Sequence, residues 1–183
     1  MERYKYRCGL YIGRFQPIHK GHESIIRKML DECEIAIVAI GSAQEGGTMK
    51  NPFTCAQRAD LIENVFYRER IEGRLKIVPV NDRKEIANDA SWGNYVFKCV
   101  DNFTHLTPDV VYEGEEAERA TWYDELDVDV VRVPRGVIPV SATLVRKVFE
   151  STLPSYETFT LLPKEIHYRI PEMREVIRNA SKN

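Results

Sequence analysis

Apolar runs alternate along the chain with segments of helical period. The stretches "RCGLYIG" (7–13), "EIAIVAIG" (34–41), "RLKIVPV" (74–80), "DVVYEG" (109–114) and "DVDVVRVP" (127–134) each read as a strand. The second is almost wholly apolar, as a strand covered on both faces would be. Between them, "HESIIRKMLDE" places Ile25, Ile26, Met29 and Leu30 on one helical face. "TCAQRADLIENVFYRER" predicts a helix capped by Thr54, just after Pro52. "SWGNYVFKCVDNF" and "EEAERATWYDEL" predict two more, and "SATLVRKVFES" another, capped by Ser141. The tail "LPKEIHYRIPEMREVIRNA" predicts helix interrupted at Pro171, and the Gly-, Ser- and Asn-rich "GSAQEGGTMKNP" predicts a loop. This alternation predicts an α/β fold: a doubly wound, Rossmann-like parallel sheet of about five strands with a C-terminal helical appendage. One domain over 1–183 is expected, its core at about 6–149 and the appendage at about 150–183.

Composition narrows the function classes. Of 183 residues, 43% are hydrophobic and 30% charged, ordinary values for a soluble domain. The net charge of -2 comes without a basic stripe, which argues against nucleic acid as a partner. The longest apolar run, "IAIVAI" (35–40), is too short to cross a bilayer, and no signal-like apolar region follows the basic start "MERYKYR". The four cysteines (Cys8, Cys33, Cys55, Cys99) form no CxxC pair; reduced thiols in a cytoplasmic protein are the expectation.

The chemistry concentrates in "GRFQPIHKGH" (13–22), where the first strand ends and the first helix begins. Ligands of doubly wound folds collect at the carboxyl ends of the strands. Gly13 permits a turn close to a ligand, and Gly21 opens the helix without a side chain. His19 and His22, three apart, share one side of a turn. Zinc would need three or four ligands and finds no third nearby. With the Arg14 guanidinium and a helix N-terminus, the group reads as an anion site. Further along, Ser141 and Thr143 stand at a helix start with Arg146 one turn on. They are either a second phosphate-binding turn or a plain N-cap beside a surface arginine.

"HKGH" resembles the HxGH signature of the nucleotidyltransferase superfamily, and "GRFQPIHKGH" resembles the archaeal-type nicotinamide mononucleotide adenylyltransferases. "GSAQEGGTMKNPFTCAQR" (41–58) is similar to that family's GSAQ…T-K-N-PFT…R loop, and "PVSATLVR" (139–146) to its ISxTxxR motif. The resemblance implies adenylyl transfer from ATP, with Mg²⁺ carried on the phosphates, to the 5′-phosphate of nicotinamide mononucleotide, giving NAD and pyrophosphate. It implies ATP against Gly13, Phe15, His19, His22, Lys50, Gly114, Ser141, Thr143 and Arg146, with His19, His22, Arg14 and Arg146 in catalysis and no metal ligand from the protein. His22 is set on the α-phosphate and His19 on the phosphate chain, the division between them staying open. The mononucleotide is expected at Asn51, Phe53, Arg58, Asp82, Asp89 and Trp92. Asn51 and Phe53 could instead shape the turn, Arg58 could pair with carboxylates such as Asp60, and Trp92 could be a core aromatic that otherwise stacks on the pyridinium ring.

An Asp at 82 or 89 beside the carboxamide would disfavour a nicotinate carboxylate. Gly114 is followed by Glu115 where the family has Asn, and extra residues separate Asp82 from Trp92. The resemblance also implies small-molecule substrates and a homo-oligomer, for which Phe159, Leu161 and Ile166 offer core or interface. Two other readings stand beside it: transfer to another phosphate acceptor, such as riboflavin phosphate or phosphopantetheine, and a catalytically silent nucleotide sensor.

Overall fold

Five strands form one parallel sheet in the order β3-β2-β1-β4-β5: β1 (Tyr6–Gly13), β2 (Cys33–Ile40), β3 (Leu75–Pro79), β4 (Val110–Gly114) and β5 (Asp129–Val133). The structure is a computed structural model and describes residues 3–85, 88–115, 121–134, 140–150 and 156–182. Strand order runs outward from β1 in one direction through β2 and β3, and in the other through β4 and β5. The reversal between β1 and β4 leaves a crevice at their carboxyl ends, the place where open α/β sheets take ligands.

One face of the sheet is covered by α1 (Lys20–Glu32), α2 (Cys55–Val65) and α5 (Ala142–Glu150). Helix α1 seats Ile25, Ile26, Met29 and Leu30 there, the face read from its period. The C-terminal segment joins the same apolar cluster through Leu161, Leu162, Ile166, Ile170, Met173 and Ile177. It comprises α6 (Tyr156–Leu161), a 3-10 turn (Lys164–Arg169) and α7 (Ile170–Ala180). Leu161 and Ile166 are thus core residues, while Phe159 is 42% exposed. Pro171 lies in the first turn of α7, where its missing N–H costs no helical bond; it marks a helix start. A short α3 (Tyr67–Ile71) follows α2.

The other face carries α4 (Asp89–Thr104), whose Val96 and Val100 pack on Leu10, Ile37, Val78 and Val111. The helix predicted over 115–126 is not formed in its described part. Residues 116–120 lie outside the described residues, and 121–126 make turns closed by Asp124 N–H to Thr121 C=O and Leu126 N–H to Tyr123 C=O. Tertiary contacts override the local preference. Tyr123 is 2% exposed, its hydroxyl donates to Glu113 at 2.8 Å, and the Trp122 carbonyl lies against Gly93 of α4. Among the described residues no helix is long and apolar enough to cross a membrane, and all four cysteines are free.

Candidate active site

The crevice between β1 and β4 opens into a cavity of about 430 Å³. Its walls come from the end of β1, the 14–22 turn, the first turn of α1, the end of β4, Trp122 and Tyr123, and the first turn of α5. Two helix N-termini therefore face one space, each with backbone N–H groups that no helical carbonyl satisfies.

At the start of α1, His19 is the N-cap and His22 the third helical residue. The His22 N–H donates to Nδ1 of His19 at 3.4 Å, and the His19 N–H donates to Nδ1 of His22 at 3.3 Å. The two rings stack at 3.6 Å between centroids, 20° from parallel. This is a capping box built from imidazoles in place of Ser and Glu. With each Nδ1 accepting, the proton of each neutral ring sits on Nε2. Phe15 supports the pair, its ring centroid 4.7 Å from that of His22, on a backbone at φ 50°. A Cβ on Gly13 would come within 3.1 Å of that phenyl ring, so the glycine makes its room.

At the start of α5, Ser141 Oγ accepts from the Leu144 N–H at 3.1 Å, as the cap expectation required. Arg146 donates to the Gln16 carbonyl at 2.9 Å and to Thr143 Oγ1 at 3.3 Å. Burial, with the charge of Arg14 beside it, holds the Arg146 guanidinium below its ordinary range, against the opposing pull of Glu150. Two like-charged guanidiniums held at one cavity favour a bound anion between them.

The structure brings Arg14, Phe15, His19, His22, Lys50, Gly114, Ser141, Thr143 and Arg146 to the cavity wall. Of the residues expected to hold the mononucleotide, Asn51, Phe53, Arg58, Asp82 and Trp92 do not line this cavity. Arg58 is fully buried, and its guanidinium donates to the carbonyls of Thr54, Arg14, Gly41, Ser42 and Glu45 at 2.8–3.3 Å. It fastens the 14–17 turn to the 41–45 turn, and neither solvent nor Asp60 engages it; Asp60 pairs with Arg169. Phe53 is 1% exposed, and its peptide is clamped by Gln16, which donates to the Phe53 carbonyl and accepts from its N–H, both at 2.8 Å. Asn51 is 5% exposed and exchanges bonds with Thr48, whose N–H donates to the Asn51 carbonyl and whose Oγ1 accepts from its N–H. Asp82 lines a second, more open cleft with Ser91, Asn94 and Tyr95. Trp92 is half-buried and packs against the α4-side core, 5.5 Å from the Tyr95 ring. The side chain of Asp89, and Pro139, lie outside the described residues.

Sequence reasoning missed Gln16, which closes the turn, and the group of Tyr11, Glu113, Trp122 and Tyr123 on the cavity wall. Glu113 faces Arg132 across the β4–β5 pair, and that pairing was the available signal; their side chains meet at 2.8 Å.

A cytidylyltransferase-like family model matches residues 10–158. The nicotinamide-nucleotide adenylyltransferase of Thermococcus onnurineus is 33% identical over 171 residues, covering 93% of this chain and 85% of that protein. The chain belongs to the nicotinamide-nucleotide adenylyltransferases of the cytidylyltransferase-like family. The adenylyltransferase of Pyrococcus horikoshii is 32% identical over 178 residues, 96% of this chain and 89% of that one. Among solved structures, a bifunctional NMN adenylyltransferase/ADP ribose pyrophosphatase of Francisella tularensis, complexed with AMP and a manganese ion, superposes with a TM-score of 0.76. It is 22% identical, a likeness of fold; the match takes in 97% of this chain and 52% of that bifunctional protein, so this chain spans about half its length.

Proposed function

We propose that the protein transfers AMP from ATP to the 5′-phosphate of nicotinamide mononucleotide, releasing pyrophosphate and forming NAD. The observation that carries this reading is the meeting of two helix N-termini, two imidazoles with Nδ1 turned to the helix backbone, Arg14, Arg146 and Lys50 around one cavity at the sheet's switch point. A phosphate monoester is anionic at neutral pH and needs no strong base to become a nucleophile. It attacks the α-phosphorus of ATP in line, the α–β bridging bond breaks, and pyrophosphate leaves. Catalysis then consists of positioning and of spreading the charge of the transferring and leaving groups.

In this reading His22 donates to the α-phosphate, His19 to the phosphate chain, and Arg14, Lys50 and Arg146 neutralise the leaving oxygens. Gly13, Phe15, Gly114, Ser141 and Thr143 complete the ATP side. The substrate is Mg²⁺-ATP, with the ion on phosphate oxygens and water, since the cavity offers the phosphates mainly cationic and N–H donors. Residues 1–183 act as one domain, supported by the shared apolar cluster of core and tail. The reading places the protein in the cytoplasm with small-molecule substrates.

The test is a pyrophosphate-release assay with Mg²⁺-ATP and a panel of acceptors: nicotinamide and nicotinate mononucleotides, riboflavin phosphate and phosphopantetheine. Turnover with a pyridine mononucleotide, and NAD as product, is the expected result. Turnover with riboflavin phosphate or phosphopantetheine alone, or tight NAD binding without turnover, overturns it.

A further inference from the structure

Lys50 and Arg146 reach the cavity from segments far apart in the chain, and both segments are fastened to Gln16. The Gln16 carboxamide grips the peptide of Phe53: Nε2 donates to the Phe53 carbonyl and Oε1 accepts from the Phe53 N–H, both at 2.8 Å. The main-chain carbonyl of Gln16 accepts from Arg146 at 2.9 Å. Gln16 is 2% exposed, so its side chain serves the loop it holds.

Phe53 is the buried base of a lever. Residues 47–52 fold back on themselves: the Gly47 N–H donates to the Pro52 carbonyl and the Thr48 N–H to the Asn51 carbonyl, each at 3.2 Å. Gly46 is pressed on Thr54, where a Cβ would lie 2.9 Å from the Thr54 Cα. Asn51, Pro52 and Phe53 are buried, while Thr48, Met49 and Lys50 at the tip are exposed. A segment zipped in this way moves as a unit, so the place where its base is held sets where the Lys50 ammonium stands at the cavity. A flexible four-carbon stem fixes little by itself, and orientation in the transition state is worth large factors in rate.

We propose that Gln16 is a positioning residue for the reaction: its side chain sets Lys50 on the leaving oxygens through the Phe53 peptide, and its main-chain carbonyl sets Arg146. This rests on the proposed adenylyl transfer. The two tasks use different atoms, so a substitution at Gln16 removes the grip on Phe53 and keeps the carbonyl that holds Arg146. Arg58 also holds the Thr54 carbonyl, at 3.3 Å, so the change shifts the base of the lever without freeing the loop.

A double-mutant cycle in the pyrophosphate-release assay, with Mg²⁺-ATP and nicotinamide mononucleotide, tests the proposal. Gln16→Met, close to glutamine in length, lowers kcat by about tenfold with the mononucleotide KM little changed. In a Lys50→Ala background the same change costs less than about twofold, because no ammonium is left to misplace, whereas in an Arg146→Ala background it keeps its full size. Gly46→Ala pushes on the lever from the Thr54 side, away from Gln16, and gives the same pattern; it carries the test should Gln16→Met not fold. A loss of equal size with and without Lys50 overturns the proposal. So does a loss that vanishes equally in the Arg146→Ala background, the mark of a site loosened as a whole, and so does an unchanged kcat in both Gln16→Met and Gly46→Ala. If wild type turns over a pyridine mononucleotide and the cycle with Lys50 is additive, this inference alone fails; if wild type turns over neither pyridine mononucleotide, the functional reading fails and takes the inference with it.

Discussion

His19 and His22 cap each other: each backbone N–H bonds the other's Nδ1, at 3.4 and 3.3 Å, under rings stacked 3.6 Å apart. One pair of side chains thus performs two jobs, closing the helix with Nδ1 and carrying a proton on Nε2. Substitution separates the jobs. At this third helical position asparagine keeps a short acceptor for the His19 N–H, but has no Nε2–H. We expect His22→Asn to keep its melting temperature within a few degrees, with kcat lower by on the order of 100-fold and the mononucleotide KM little changed. His22→Ala keeps the His19 cap but loses the reciprocal acceptor of the His19 N–H, at about 1 kcal/mol of stability. Thermal melts beside steady-state kinetics check both, and near-normal kcat in His22→Asn removes His22 from the chemistry.

Arg58 tests a different distinction, between ligand and fastener. Its buried guanidinium satisfies carbonyls of both loops that flank the cavity, and a neutral replacement leaves several buried acceptors without donors. At about 1–3 kcal/mol for an orphaned group, Arg58→Met should lose about 3 kcal/mol or more and roughly 10 °C of melting temperature. A substrate ligand behaves otherwise: KM rises and stability holds. A variant with a native melting curve and a raised mononucleotide KM restores Arg58 to the binding site.

The five strands, the helix that follows β1 and the turns that line the cavity were legible because their signals are local: apolar runs, a cap, two glycines beside two histidines. Arg58 was legible too, had its spacing been used. It shares the buried face of α2 with Leu61, Ile62 and Val65, so the period itself points the arginine inward. Trp122 and Tyr123 were not legible, since the segment "TWYDEL" has helix-compatible residues and its turns exist only because Glu113 and Gly93 meet it from distant parts of the chain. Trp92, for which a ring-stacking and a core role both stood open, is half-buried against the α4-side cluster, a position compatible with either.

The buried thiols give a chemical check on the sheet. Burial pushes Cys8 up to about 12 and Cys33 up to about 11, the Asp109 carboxylate adding to both. The direction is toward the protonated, unreactive thiol, since the thiolate is the nucleophile. In native protein at pH 8, a disulfide reagent should react promptly with Cys55 and Cys99 only, which are partly exposed. All four should react after denaturation. A third fast thiol in the native state contradicts the placement of β1 and β2 at the sheet's centre.

Gly93→Ala puts helix propensity and tertiary packing in opposition. In the interior of an exposed helix the change gains about 1 kcal/mol, because alanine restricts the unfolded chain and glycine does not. Here the added Cβ would stand 2.0 Å from the Trp122 carbonyl oxygen, which is backbone and cannot rotate away. Either α4 or the 121–126 turns must shift. The turns are the weaker partner, held by Tyr123 to Glu113 and by two turn bonds. Moving them withdraws Trp122 from the cavity and loosens the Glu113 carboxylate. The expected outcome is a melting temperature lower by several degrees, read from thermal melts. A variant as stable as wild type shows that the close seat of Trp122 on α4 is not kept in solution.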